Sequence, residues 1–121
     1  MNLAHILDAH PDSSTALVSR GRSTTYGTLR QQIASMRGAL LGENVGKGDV
    51  VALLCGNSRY FVVSYFAAIG IGAIIAPLNP TSPAPEIEGE LLAIKPTVVV
   101  IEPSAAAAWE LIPSVTSSAV R

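Results

Sequence analysis

Residues 50–76 read VVALLCGNSRYFVVSYFAAIGIGAIIA, and this stretch decides the fold. It opens with Val50–Leu54, a short apolar run that starts with β-branched residues and does not alternate with polar ones. Such a run is typical of a central strand that is buried on both faces of a parallel sheet. The stretch therefore begins with a predicted buried strand.

The residues after Gly56 change from a strand pattern to a helix pattern. Asn57 or Ser58 can cap a helix, because a short polar side chain accepts hydrogen bonds from the first free N–H groups. Gly70 and Gly72 are expected to end the helix. The predicted buried stripe consists of Phe61, Val62, Tyr65, Phe66 and Ile69.

A second buried strand is predicted at Ala73–Ala76, after the glycines. Pro77 is expected to stop it, because proline lacks the N–H that a sheet ladder needs. Ser82 is then predicted as the N-cap of a helix whose first residue is Pro83. The buried stripe of this helix is predicted to be Ile87, Leu91 and Ile94.

A third strand is predicted at Thr97–Ile101, where nearly every residue is a β-branched aliphatic, and Glu102-Pro103 is expected to end it. The last part of the chain, residues 104–121, is a weakly patterned tail. A further helix can begin before Pro113, and the end of the tail is expected to be disordered or poorly packed.

Upstream of residue 50, the chain predicts a hairpin and a helix. Ala16–Ser19 and Ser23–Thr25 flank Arg20-Gly21-Arg22, and a glycine between two short β-prone runs is a hairpin signal. Thr25 is expected to cap the amphipathic helix that follows. The predicted buried stripe is Tyr26, Leu29, Ile33, Met36 and Leu40.

Strands that alternate with helices predict an α/β fold. We expect right-handed βαβ units that form a partial, mostly parallel sheet with helices on both faces, plus the short N-terminal hairpin. With 121 residues the chain is at most one domain. A hydrophobic content of 49% against 14% charged residues is high for so short a chain, which suggests a piece of something larger.

Composition also excludes several classes of function. The net charge is -1 and no run of Lys or Arg offers the basic surface that nucleic acid requires. Cys55 is the only cysteine, so no intrachain disulfide can form, and a reducing, cytoplasmic location is expected. The apolar stretch from Phe61 to Pro77 is too short for a transmembrane segment, although peripheral attachment to a membrane stays open.

Two glycine-rich segments do not fit a phosphate-binding loop. Gly46-Lys47-Gly48 precedes a predicted strand and Gly70-Ile71-Gly72 lies between a helix and a strand, whereas a phosphate loop follows a strand and opens a helix. We therefore expect turns or close packing at both. Lys47 in a turn and Lys95 at a helix end are likewise not in a phosphate-facing context.

The remaining chemically active side chains favour structural roles. His5 and His10 lie in the N-terminal stretch and are expected at the surface or as caps, and Cys55 after a strand is expected to be a small buried hydrophobic residue. Residues that alternate along a helix do not share a face, which excludes a paired-carboxylate site. The alternating residues are Glu86, Glu88 and Glu90.

The succession of segments resembles a known superfamily. Thr25–Leu29, Gly46–Leu54 and Asn57-Ser58 resemble the opening of the adenylate-forming ligases. Ala67–Pro80 is similar to the second core motif of that superfamily, in the form that acyl-CoA synthetases (fatty-acid–CoA ligases) favour, and Thr81–Leu92 resembles the helix that follows.

The resemblance runs from Ala16 to about Ile101, with two departures. The family usually has Glu where this chain has Thr28, so the reciprocal capping box with Thr25 is lost. Proline often precedes the Asn-Ser pair, where this chain has Cys55-Gly56.

The resemblance implies that residues 1–121 are the N-terminal part of the large AMP-binding domain of a fatty-acid–CoA ligase. Such enzymes use Mg-ATP to form an acyl-adenylate and then pass the acyl group to coenzyme A. The family's Ser/Thr/Gly-rich phosphate loop, its aromatic-acidic motif and its late lysine have no counterpart in this sequence. We therefore expect no catalytic, cofactor-binding or metal-binding residue in the chain, and no activity from the chain alone.

Partners and alternatives follow from the same resemblance. The expected partner is the remainder of the enzyme, with a fatty acid as the substrate of the whole. A fatty-acyl-AMP ligase, which passes the acyl group to a carrier protein, stays open. So do a non-catalytic structural module that forms a homodimer and a small nucleotide-binding domain.

Overall fold

The computed structural model describes residues 3–112 and the dipeptide Ala119–Val120. Strands and helices alternate along most of the described chain, with short 3-10 helices at Leu3–Leu7 and Pro103–Ala105. The elements are β1 Thr15–Ser19, β2 Arg22–Thr25, α1 Tyr26–Gly42, β3 Val50–Leu54, α2 Arg59–Gly70, β4 Ile74–Leu78, α3 Ala84–Ile94, β5 Val98–Ile101, α4 Ala106–Glu110 and β6 Ala119–Val120.

Four strands form one parallel sheet in the order β4-β3-β5-β6. Val51 of β3 lies opposite Ile75 of β4 on one side and Val98 of β5 on the other. The central strand β3 is buried along most of its length, as its continuous apolar pattern predicted. The predicted fold class, α/β with a mostly parallel sheet, is confirmed.

The sheet carries a separate apolar core on each face. On one face, Leu53 and Val100 pack with α1 and α2. On the other face, Leu54 and Ile101 pack with α3, through Ile87 and its neighbours. Successive residues of a strand point to opposite faces, so the unbroken apolar runs supply both cores at once.

The hairpin of β1 and β2 and the start of α1 are formed as predicted. Arg20 and Gly21 between the strands have φ angles of 53° and 76°, and positive φ at both turn positions matches the right-handed twist of a tight hairpin. Thr25 caps α1 by accepting a hydrogen bond from the N–H of Thr28 at 3.2 Å.

The buried face of α2 differs from the prediction. Its buried residues are Ser64, Ala67 and Ala68, whereas the predicted stripe from Phe61 to Ile69 is only partly buried. Small side chains let the helix axis come close to its neighbours, and the large aromatic side chains then lie along the flanks. Four residues of the predicted stripe still pack against the core, but the fully buried face is the one with the small residues. The four are Phe61, Val62, Tyr65 and Phe66.

Strand β4 also differs from the prediction, because it continues through Pro77 to Leu78. Among the described residues β4 pairs only with β3 and forms the edge of the sheet. The N–H of Ile74 points towards β3, donating to Asp49 O at 2.7 Å, so by alternation the nitrogen of Pro77 faces away from β3. A proline is tolerated there, and Ile74 is exposed rather than buried.

The structure differs from the prediction at the start of α3 and near the end of the chain. Helix α3 begins at Ala84 with Pro83, not Ser82, as its N-cap, because Pro83 has an extended ψ of 145° while its carbonyl accepts from Glu86 N–H at 3.0 Å. The chain end contains a strand that the sequence pattern did not indicate, since Ala119 pairs with Val99 of β5. The rest of the predicted disordered end, residues 114–118 and 121, lies outside the described residues.

Candidate functional site

The carboxyl ends of β3 and β5 form the topological switch point of the sheet. From β3 the chain passes through α2 to β4 on one side, and from β5 it passes through α4 to β6 on the other side. Connections that diverge in this way leave a crevice beyond the strand ends, where doubly wound sheets bind their ligands. This crevice is the candidate site of the chain.

A buried carboxylate, that of Glu102, occupies the crevice. Glu102 follows β5 directly and is only 2% exposed. Its Oε1 accepts a hydrogen bond from Gly56 N–H at 2.5 Å, and its Oε2 accepts from Ser58 Oγ at 3.2 Å. The guanidinium of Arg20, in the hairpin turn, lies 3.5 Å from Oε2. One side chain thus joins three segments that are distant in sequence.

These donors keep the buried carboxylate ionised. Burial by itself raises the pKa of Glu102, but donation from Gly56 N–H and from the hydroxyls of Ser104 and Ser58, together with the charge of Arg20, outweighs it. The net result is a pKa below the ordinary value of 4.5. A carboxylate that accepts several hydrogen bonds is stabilised in its charged form.

The hydroxyl of Ser58 serves this carboxylate and does not cap its own helix. Ser58 is the N-cap residue of α2, but its side chain makes no hydrogen bond to the helix N–H groups. Its Oγ donates to Glu102 instead. Of the two predicted capping residues, Asn57 and Ser58, the structure has Ser58 at the N-cap. Its predicted hydrogen bond to the helix is wrong, because the hydroxyl donates to Glu102, which is distant in sequence.

An apolar groove of about 630 Å³ opens beside Glu102, between α1, α2 and the end of β5. Gln32 of α1 lines it, and the buried Oε1 atom of Gln32 has no hydrogen-bond partner among the described residues. The guanidinium of Arg59 lies over the ring of Tyr60 at 4.7 Å on the same wall. Other lining residues are Met36, Ala39, Val63, Val100 and Ile101.

The site does not fit a phosphate group. The groups at the start of α2 that would bind one, Gly56 N–H and Ser58 Oγ, already donate to Glu102. An added phosphate would also meet the negative charge of that carboxylate. The donors at the start of α2 are therefore already engaged, and no reaction step is assigned to them.

The two glycine-rich segments lie at the opposite end of the sheet. Gly48 and Gly72 have φ angles of 85° and 80°, and Gly48 N–H donates to Gly72 O at 3.0 Å. Both segments are turns that precede strands. Lys95 adopts a left-handed conformation, with φ of 52°, directly after α3.

The other candidate residues are not brought together. His5 and His10 are both exposed; His5 pairs with Asp8 at 3.0 Å and the ring of His10 stacks on Tyr26. Cys55 is buried, as predicted. Burial raises its pKa to about 11, with a smaller contribution from the negative charge of Glu102. Glu86, Glu88 and Glu90 lie on α3, on the other face of the sheet from the groove.

In residues 3–112 and 119–120, no three side chains of the His, Cys, Asp or Glu type come close enough to hold a metal ion. Within the same residues, no helix has both the length and the apolar character needed to cross a membrane.

A family model described as "AMP-binding enzyme" matches residues 3–120. The chain belongs to this family. The AMP-binding family assignment agrees with the resemblance carried by the segments from Thr25 to Pro80, and it accounts for the α/β fold observed here.

Three similar proteins illustrate the range of the AMP-binding family. "4-coumarate–CoA ligase 1" of Oryza sativa subsp. japonica is 44% identical over 77 residues, which are 64% of this chain and 13% of that protein. "Medium/long-chain-fatty-acid–CoA/3-oxocholest-4-en-26-oate–CoA ligase" of Mycobacterium marinum is 34% identical over 87 residues, 72% of this chain and 15% of that protein. Anthranilate CoA ligase AuaEII, solved with anthranoyl-AMP, superposes with a TM-score of 0.84 at 26% identity, covering 92% of this chain and 22% of that one.

The chain therefore spans less than one fifth of the length of these two curated relatives. Both are CoA ligases by name, but the acids in their names differ. Membership of the AMP-binding family is shown by the match, whereas the acid that is activated is not.

Sequence reasoning missed Glu102 altogether. The local pattern at Glu102-Pro103 predicts only the end of a strand, and the partners of Glu102, Gly56 and Ser58, lie 46 and 44 residues away. A signal was nevertheless present. An acidic residue directly after a buried parallel strand lies at the carboxyl edge of the sheet, where the loop after the neighbouring strand also lies.

Proposed function

We propose that this chain is the N-terminal part of the large domain of a ligase that activates a fatty acid with ATP, forming an acyl-adenylate and pyrophosphate. The acyl group then passes to the thiol of coenzyme A. The observation that carries the proposal is the family match over residues 3–120. The fatty-acid ligase of Mycobacterium marinum, at 34% identity over 72% of this chain, supports the choice of acid.

ATP, Mg²⁺ and coenzyme A are the cofactors of the proposed reaction, and other parts of the longer protein would bind them. The switch-point donors of this chain are already committed to Glu102. The chain's contribution is structural: it provides four strands of the sheet and the helices that cover both faces. On this view the chain alone has no ligase activity.

An exchange assay tests that last point. ATP–pyrophosphate exchange by the purified 121-residue chain, with fatty acids and aromatic acids, should not rise above the rate without protein. The phosphoryl-stabilising groups that dominate such catalysis are missing from the sequence. Exchange that depends on an added acid would contradict the proposal.

The acid is tested with the longest protein translated from the gene. Formation of acyl-CoA is compared for a long-chain fatty acid, 4-coumarate and anthranilate at equal concentrations. The proposal expects the highest kcat/KM with the fatty acid. Preference for 4-coumarate would favour an aromatic-acid ligase, the second candidate, which the 44% identity to the rice enzyme supports.

The acyl acceptor is tested in the same reaction. If acyl-adenylate accumulates with coenzyme A present and is consumed only when a carrier protein is added, the protein is a fatty-acyl-AMP ligase. Consumption of the adenylate by coenzyme A alone supports the proposal.

A structural module that forms a homodimer is the remaining candidate. The open apolar groove and the edge strand β4 are the features that favour it. Light scattering of the purified chain over a range of concentrations tests whether it forms the dimer that this candidate requires. A stable dimer without ligase activity in the longest gene product would replace the ligase proposal.

A further inference from the structure

We propose that Glu102 is a latch: its carboxylate holds the loop of residues 55–58 and the hairpin turn onto the end of β5, and opening of the latch uncovers Cys55. The latch is independent of the proposed ligase reaction. It is a conformational device that is complete within this chain.

The first observation is that the partners of the latch come from two segments distant in sequence from Glu102. Gly56 N–H and Ser58 Oγ belong to the loop between β3 and α2, and Arg20 belongs to the hairpin. The approach at Gly56 is close, since a Cβ added there would lie 3.0 Å from Oε1 of Glu102. The loop is thus shaped to bring a backbone N–H directly to the carboxylate.

The second observation is that few other bonds hold this loop. At the strand ends, Glu102 N–H donates a backbone hydrogen bond to Leu54 O at 3.3 Å. Beyond it, the thiol of Cys55 makes one long contact, 3.8 Å from Sγ to Val100 O. If the hydrogen bonds from Gly56 and Ser58 to the carboxylate break, the loop can separate from the end of β5 while β3 stays paired with β5.

The third observation concerns what the loop covers. Cys55 is 5% exposed and belongs to the apolar core on the α1 and α2 face. It is the first residue after β3, directly before Gly56. Cys55 is thus the core residue adjacent to Gly56 in the chain, and movement of Gly56 away from Glu102 would expose its thiol.

Three ionisable neighbours bear on the charge of the latch. Arg20 faces the carboxylate from the hairpin, the Cys55 thiol faces it from the end of β3, and Arg59 of α2 lines the same groove. The pKa of the Glu102 carboxyl lies below 4.5 in the closed state. Stability from the latch is therefore fully present at neutral pH and is lost as pH falls through this lowered pKa.

The test compares the full chain with its Glu102→Gln variant at pH 7.5. Glutamine keeps the size of the side chain but lacks the charge, and its NH₂ group cannot accept from Ser58 or pair with Arg20. We expect the amide of Gly56 to exchange with solvent about tenfold faster, as befits loss of charge-assisted hydrogen bonds. The amides of Val51–Leu54 should keep their wild-type rates.

A thiol reagent provides the second readout. The Cys55 thiolate attacks an aromatic disulfide, forms a mixed disulfide and releases the aromatic thiolate, whose absorbance is followed. We expect the rate to rise about tenfold in Glu102→Gln. Because loss of the Glu102 charge also lowers the pKa of the thiol, amide exchange at Gly56 is the deciding measurement.

Matched variants separate the latch from general destabilisation. Glu86→Gln removes an exposed carboxylate on the other face and should leave both rates unchanged. Ser58→Ala should raise both about threefold, since one neutral hydrogen bond is lost. If Glu102→Gln does not fold, the comparison of Ser58→Ala with the control Glu86→Gln tests the proposal instead.

Two outcomes would overturn the proposal. If Gly56 exchanges at the wild-type rate in both Glu102→Gln and Ser58→Ala, the carboxylate does not hold the loop. If the amides of Val51–Leu54 accelerate as much as Gly56, the carboxylate contributes only to global stability and no separate opening exists.

Discussion

The two ends of the parallel sheet are held together by different means. At the amino end, two glycine turns meet: Gly46 N–H donates to Asp49 Oδ2 at 2.8 Å, and Gly48 N–H donates to Gly72 O at 3.0 Å. At the carboxyl end, the single charge of Glu102 connects three segments. The amino end combines glycine turns with the partly buried Asp49 carboxylate, whereas the carboxyl end depends on one fully buried ionised group, so substitutions should affect the two ends differently.

The largest effect is expected from Glu102→Ala. The change leaves Gly56 N–H and Ser58 Oγ without their acceptor in a buried place and should lower the free energy of unfolding by about 3 kcal/mol. Urea denaturation followed by circular dichroism measures it. Glu86→Ala is the control and should change stability by less than about 0.5 kcal/mol. Equal effects of the two changes would show that the hydrogen bonds of Glu102 do not stabilise the carboxyl end.

The next effect is expected at the amino end, from Gly72→Ala. Its φ of 80° disfavours any side chain, and the new Cβ would lie 3.2 Å from Cγ of Lys47. The loss should be about 1–2 kcal/mol. Gly89→Ala in α3, where no atom lies within 4 Å of an added Cβ, should stabilise by about 0.8 kcal/mol because alanine favours helix. If Gly72→Ala unfolds with the same free energy as the wild type, the turn can accommodate a side chain at this position.

A smaller effect is expected from Asp49→Ala. It removes the acceptor for Gly46 N–H and should lower stability by about 1 kcal/mol. Asp49→Asn keeps a carbonyl acceptor and should be close to the wild type. Comparison of the two unfolding curves tests whether the turn needs the charge or only the hydrogen bond. A full loss in Asp49→Asn would show that charge matters at both ends.

The smallest effect is expected from Arg20→Gln. The Arg20 side chain is 59% exposed and lies 3.5 Å from Glu102, so the solvent weakens their attraction. We expect a loss of about 0.5 kcal/mol. The loss should shrink in 1 M NaCl, where ionic interactions are screened within about 3 Å. A loss that is unchanged by salt would point to packing by the hairpin and not to charge.

The sequence predicted most of the fold because the deciding signals are local. Continuous apolar runs, a capping threonine and glycines between elements each act over a few residues, and the structure confirms β3, β5, α1 and the hairpin. The errors came where tertiary context decides. Pro77 can continue a strand because, among the described residues, β4 pairs only with β3. Ala67 and Ala68 form the buried face of α2 because the sheet lies beneath them.

The candidate site was less predictable for the same reason. Glu102 meets Gly56 across 46 residues of sequence, so no local pattern connects them. The sequence could place the ends of β3 and β5 at one edge once a parallel sheet was assumed. It could not indicate that the glutamate turns inward, because a carboxylate after a strand is ordinarily solvated.

The proline in β4 also bears on the solubility of the chain. On the side of β4 that faces away from β3, the backbone nitrogens belong to Ile75 and Pro77, and of these two only Ile75 has an N–H group to donate. A strand from another molecule that tried to extend the sheet would find a single donor followed by a ring. Exposed edges of this kind template aggregation in many proteins. In this chain the proline that was expected to end the strand instead leaves the edge with fewer donors for such pairing.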